Sequence, residues 1–197
     1  RLHTLMNLKL ALAVVVSALA LNAMAASVDV DGIQVEDTAT VAGTQLTLNG
    51  VGTRHKGSLK MYVAALYLEK KTSNTAEVFN QSGPKRLSLT MVRNVEAGEL
   101  GRLFTHQIIA NSDKAIILRL APQLRRMGEM FAQQKKVLIE DSIMIDWVPG
   151  TGTVITIQDK MQIEPFKEPE FYKAMLSIWL GNSPAEKPLK NALLGLP

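Results

Sequence analysis

The segment Leu48–Glu69, LNGVGTRHKGSLKMYVAALYLE, constrains the fold more than any other stretch of this chain. It reads as a β-hairpin: Gln45–Asn49 leads in, Lys56-Gly57-Ser58 supplies the turn, and Leu59–Lys70 returns. Met61–Leu68 is apolar on both faces apart from Tyr62 and Tyr67, the pattern of a strand covered on both sides. Gly50 and Gly52 leave room beside the outgoing strand. One arginine, Arg54, stands in these apolar surroundings. A guanidinium does not lose its proton, so a buried one needs an anion, which a ligand can supply. The alternative is a solvated sheet edge beside the turn.

The turn decides whether Arg54 meets Tyr62. A three-residue loop sets Arg54 across from Lys60 and Gly52 across from Tyr62, so that Arg54 and Tyr62 share a face as diagonal neighbours roughly 7 Å apart. A two-residue loop puts them on opposite faces. The three-residue register is the one expected here, and it sets two cations, Arg54 and Lys60, against each other.

The N-terminus reads as a targeting segment. Arg1, His3 and Lys9 precede the apolar run Leu10–Leu21, and Ala23-Met24-Ala25 offers a small-residue cleavage site. Residues 1–25 are therefore expected to be a secretory signal peptide, with Met6 the expected initiator. Residues 26–197 are expected to form a single exported domain in a bacterial periplasm. The run is short for a bilayer span, and no stop-transfer pattern follows it. There is no cysteine, which excludes disulfides and thiolate metal sites. Without Arg1 and Lys9, 20 basic residues face 18 acidic ones, so charge gives no reason to expect nucleic acid or an anionic membrane as partner.

Periodicity orders the rest. Val28–Glu36 alternates about Gly32 as an edge strand or hairpin, Ser73-Asn74 caps a short helix through Phe79, and Lys85–Arg93 alternates as a strand with one wet face. Leu100, Leu103, Phe104 and Ile108 mark an amphipathic helix over Ala97–Ile109. Asn111-Ser112-Asp113 caps the next helix, Lys114 to Gln134, which Pro122 is expected to split. Ser142–Val148 and Thr153–Asp159 flank a Pro149–Gly152 turn. Pro169 opens a helix through Leu180, and Ser183-Pro184 opens a last one that ends near Gly195. This order implies an α+β domain, a mostly antiparallel sheet covered on one face by helices.

Nucleophile-elbow, Walker and His-Glu-x-x-His motifs are absent, and His55 and His106 have no metal-site spacing. Gly150-Thr151-Gly152 lies between strands, so it reads as a turn and not as a phosphate loop. No cofactor and no metal are expected. The remaining polar candidates are Arg54, Tyr62, Tyr67, Asn111, Tyr172 and Trp179. Tyr62 reads equally as a core aromatic bonded to a carbonyl, and Asn111 as a helix cap.

Gly50-Val51-Gly52-Thr53-Arg54 followed by Lys60-Met61-Tyr62 and Tyr67-Leu68-Glu69 resembles the second and third strands of the chalcone isomerase family. The likeness runs from about Leu46 to Gly195. Asn111 resembles the family's active-site asparagine, the Trp147–Ile157 hairpin its Pro-x-Gly hairpin, and Ala174-Met175-Leu176 with Leu180-Gly181 its late helix. The resemblance implies a chalcone isomerase-like fold. It also implies that an enzyme of this type would use Arg54 to hold the ionised hydroxyl or developing oxyanion of an enone. Arg54 and Asn111 match that constellation, but Phe104 stands where the family's tyrosine would be. Tyr62 replaces the first of two hydroxyl residues, and the second falls near Tyr172. Losing positioned donors weakens transition-state stabilisation. Arginine with tyrosine is instead similar to the family's non-catalytic fatty-acid-binding branch. That implies an apolar carboxylate held by Arg54 and Tyr62, with Asn111 a further donor. Phe104, Leu103, Ile108, Met175 and Trp179 would line the chain's pocket. An enone isomerase and a ligand-free interaction domain are the alternatives.

Overall fold

The computed structural model describes residues 26–197; the expected signal peptide lies outside the described residues. The hairpin at its centre is β4 (Thr44–Lys56) with β5 (Leu59–Leu68). Around it a seven-stranded antiparallel sheet runs in the order β11-β10-β9-β6-β5-β4-β3, with β3 at Thr38–Val41, β6 at Lys85–Met91 and β9 at Ser142–Val148. The far edge is β10 (Gly152–Ile157) and β11 (Lys160–Met161). A separate hairpin, β1 (Ser27–Val30) with β2 (Ile33–Glu36), precedes the sheet, and β7 (Val95–Glu96) pairs with β8 (Lys136–Val137) beside it.

β5 is covered on both sides, as its apolar run requires. Tyr62, Ala64, Leu66 and Leu68 point into the main core, under α2 (Ala97–Ala110), α3 (Lys114–Gln133) and α4 (Pro169–Leu180). Val63, Ala65 and Tyr67 point the other way into a smaller core with Val35, Val41 and Leu46, and the Tyr67 hydroxyl donates to the Glu36 carbonyl at 2.8 Å. Burying Leu66 and Leu68 contributes roughly 2 kcal/mol each. α1 (Thr75–Asn80) is capped by Asn74, whose side chain accepts from the Ala76 and Glu77 amides. No helix among the described residues is long and apolar enough to cross a membrane.

Three expectations are corrected. Pro122 lies inside α3 without splitting it. Its missing amide would have served the carbonyl of Leu118, and both residues lie on the exposed side, so the helix continues past the lost bond. Leu103 is exposed beside its buried neighbours Leu100 and Phe104. The last helix, α5 (Lys187–Leu193), starts four residues after Ser183, because Ser183 is bonded to the Asn111 side chain and the Ala185 amide donates to the Ile178 carbonyl at 2.7 Å.

α5 lies against β4 at its two glycines. A Cβ on Gly50 would collide with the Ala192 and Leu193 carbonyls, and one on Gly52 would stand 2.8 Å from the Ala192 Cβ. Only hydrogen fits between that strand and the helix end. Asn49, an extra residue bulged between the Leu48–Tyr67 and Gly50–Leu66 pairs, completes the joint. Its buried amide donates to the carbonyls of Leu193 at 2.8 Å and Thr72 at 3.0 Å, and accepts from the Thr72 amide at 2.8 Å.

Candidate functional site

The turn of the central hairpin has two residues, Gly57 and Ser58, with Lys56 paired to Leu59 and His55 to Lys60. The expected three-residue loop and the Arg54–Lys60 pair are therefore not formed. A two-residue loop alone would send Arg54 and Tyr62 to opposite faces. Met61 prevents this: it is left unpaired as a bulge, the register moves by one, and Arg54 pairs directly with Tyr62. Lys60, freed from facing Arg54, bonds Asp31 in the β1–β2 turn.

Arg54 and Tyr62 share a cleft between β5 and α2 with Leu100, Leu103, Phe104 and Ile178. The Tyr62 ring is buried, and its hydroxyl accepts from the Trp179 indole N–H at 3.0 Å, which leaves the phenol's own hydrogen for another acceptor. Burial pushes the Tyr62 phenol up to about 12, against the pull of Trp179 and of the Arg54 charge, so it stays a donor at any ordinary pH. Gln107, one helical turn beyond Phe104, also lines the cleft, and its buried side-chain oxygen Oε1 has no hydrogen-bond partner.

Arg54 already has an anion. Its Nη1 lies 3.4 Å from Oε2 of Glu186, and it also donates to the His55 carbonyl. The same Glu186 carboxylate accepts from the His55 amide at 2.7 Å and lies 3.3 Å from His55 Nδ1. The Arg54–Glu186 contact is long and monodentate, and both side chains keep solvent access, at 24% and 19%. Glu186 thus supplies the anion that the Arg54 charge requires, and only loosely.

The other expected site residues lie elsewhere. Asn111 caps α2 and ties it to the chain after α4. Its two N–H donors go to the carbonyls of Gln107 at 2.9 Å and Ser183 at 2.8 Å, so neither remains for a ligand. Phe104 lines the cleft, packed edge-on against Trp179 and Phe131 at 5.4 and 5.6 Å between centroids. Ile108, Met175 and Trp179 are core residues, fully buried, and do not line the cleft. Tyr172 lies six residues before Ile178 on α4, about 9 Å further along the axis. It stands in a different pocket, beside Trp147 at 5.9 Å between centroids, and its buried hydroxyl has no partner.

Sequence reasoning missed Glu186 and Gln107. Gln107 follows the α2 periodicity, three residues beyond Phe104, and was legible by spacing. Glu186 sits in a connection whose path only the folded chain fixes.

The cleft encloses about 60 Å³, room for roughly two waters at bulk density. A domain of this shape has known counterparts. The structure superposes on that of an Arabidopsis thaliana fatty-acid binding protein with a TM-score of 0.69, over 86% of this chain and 96% of that one. Identity is 15%, so this likeness carries the fold alone. No curated protein sequence matches the chain. The model of the family described as chalcone isomerase-like matches residues 27–195, nearly all of the described chain, and the protein is a member of the chalcone isomerase-like family.

Proposed function

We propose that the protein binds a fatty acid or a similar apolar carboxylate, and that it does so in the periplasm after export. The observation that carries this reading is the direct pairing of Arg54 with Tyr62 at the mouth of an apolar cleft. One residue supplies a permanent charge, the other a phenol that keeps its proton. The ligand carboxylate displaces Glu186 from Arg54, and the acyl chain enters as α2 moves away from β5, since the closed cleft is far smaller than a lipid pocket. Export is supported by the basic start, apolar run and Ala-x-Ala of residues 1–25.

The test is native mass spectrometry of the exported protein, followed by titration of the delipidated form with palmitate and with hexadecanol. Palmitate is expected to be retained, the alcohol to bind at least tenfold more weakly, and Arg54→Gln to abolish the difference. Glu186→Gln, which removes the competing charge, is expected to tighten palmitate severalfold. Equal binding of acid and alcohol to the native chain would refute the proposal.

The Arg54–Glu186 contact and the small cleft favour a second reading, an interaction domain with no small-molecule ligand. In that case neither substitution alters lipid retention, and Glu186→Gln lowers stability.

A further inference from the structure

A second pocket, which shares no wall with the Arg54 cleft, opens beside the C-terminal end of α1 and the start of α4. It encloses about 290 Å³, close to the lower end of small-molecule sites. Phe79, Trp147 and Tyr172 give it three aromatic walls, and Leu176 adds an aliphatic one. Its charged lining residues are Lys85 and Lys173, with no acidic residue among them.

Lys85 is the unusual member. It is the first residue of β6, paired with Trp147 on one side and Leu68 on the other, so its side chain points to the helix side of the sheet. Only 4% of it is exposed. Its ammonium donates to the Gln81 carbonyl and stands 5.9 Å from the centre of the Tyr172 ring. Among the described residues it has no ion-pair partner, so two of its three donors have no protein acceptor. A buried ammonium in that state is costly unless an anion completes it. The charges around it are Lys173 on α4, which opposes protonation, and Glu69 after β5, which favours it; burial is the larger effect and brings Lys85 down to about 8.

We propose that this pocket is a second ligand site, which takes a small aromatic carboxylate whose anion sits at the Lys85 ammonium and whose ring lies among Phe79, Trp147 and Tyr172. Lys173, exposed at the rim, attracts the anion from solution. An anion bound beside Lys85 favours its charged form, so binding near pH 8 takes up a fraction of a proton.

The test is calorimetric titration of the full chain with benzoate and with benzyl alcohol, at pH 8, in two buffers of different ionisation enthalpy. Benzoate is expected to bind with net proton uptake, and benzyl alcohol at least tenfold more weakly. Lys85→Met should remove both the preference and the proton uptake, while Arg54→Gln leaves both unchanged. Should Lys85→Met fail to fold, Lys173→Met serves instead and should weaken benzoate severalfold while reducing its salt dependence. Equal affinity for acid and alcohol, or benzoate binding without proton uptake, overturns the assignment. Loss of benzoate in Arg54→Gln would place it in the other cleft and overturn it equally.

Discussion

The Tyr62 hydroxyl is the acceptor for the Trp179 indole N–H, 3.0 Å away, and that bond crosses the core from the central strand to α4. Tyr62→Phe therefore strands a buried donor. The expected cost is about 1–3 kcal/mol in urea unfolding, the desolvation penalty of an unsatisfied group. Palmitate binding should weaken less than in Arg54→Gln, because the charge remains. A variant of unchanged stability would show that the indole finds another acceptor.

The glycines of β4 are spatial and not conformational in their requirement. Gly50→Ala drives a methyl into the Ala192 and Leu193 carbonyls, so α5 must detach or β4 must bend. A loss of about 3 kcal/mol or more is expected, at the upper end of overpacking costs. Gly128, inside α3, has open space where a methyl would stand, with no atom within 4 Å, and Gly128→Ala should add roughly 0.5–1 kcal/mol. Thermal melts of the two variants should move in opposite directions.

Arg86 and Asp146 form the most tightly matched ion pair of the sheet, with two parallel bonds of 2.7 Å between β6 and β9. The carboxylate and burial act in opposite directions on the guanidinium, and the Asp146 contact dominates to hold it above its ordinary range. Asp146→Ala leaves Arg86 unpaired at 18% exposure and is expected to cost about 3 kcal/mol. Arg86→Met combined with Asp146→Leu should recover most of that loss. If the double variant is as unstable as the single one, the pair itself, and not the orphaned charge, carries the stability.

Legibility in the sequence followed the range of the interaction. The two-faced run of β5 and the stripe of α2 are local periodicities, and both appear in the fold as read, apart from the exposed Leu103. The bulge at Met61 was not legible: a single unpaired residue is decided by which side chains the two faces can bury. It turned the expected diagonal relation of Arg54 and Tyr62 into a direct pair. Glu186 and Arg54 lie 132 residues apart, and their contact depends on how the chain leaves α4. The resemblance set Tyr172 with Arg54 and Tyr62, but α4 holds it about 9 Å along its axis from Ile178, in the other pocket.

Stability should rise with pH from about 8 and turn over near 10. Lys85 is lowered to about 8 from 10.5, first by burial and then by Lys173, with Glu69 opposing. Between those values the folded protein has released a proton that the unfolded chain still holds, so stability increases with pH. Tyr62 and Tyr67, both pushed up to about 12 chiefly by burial, act in the other direction. Their phenols ionise first in the unfolded chain, so the stability they contribute is complete below about 10 and is lost as pH climbs towards 12. Burial pushes Tyr172 up as well, so all three tyrosines of the chain should remain phenols at pH 10.5, where free tyrosine is largely ionised. Urea midpoints measured from pH 7 to 11, with the phenolate absorbance followed in parallel, test both halves. Lys85→Met should erase the rise and keep the fall; a rise that survives in that variant would assign it to another group.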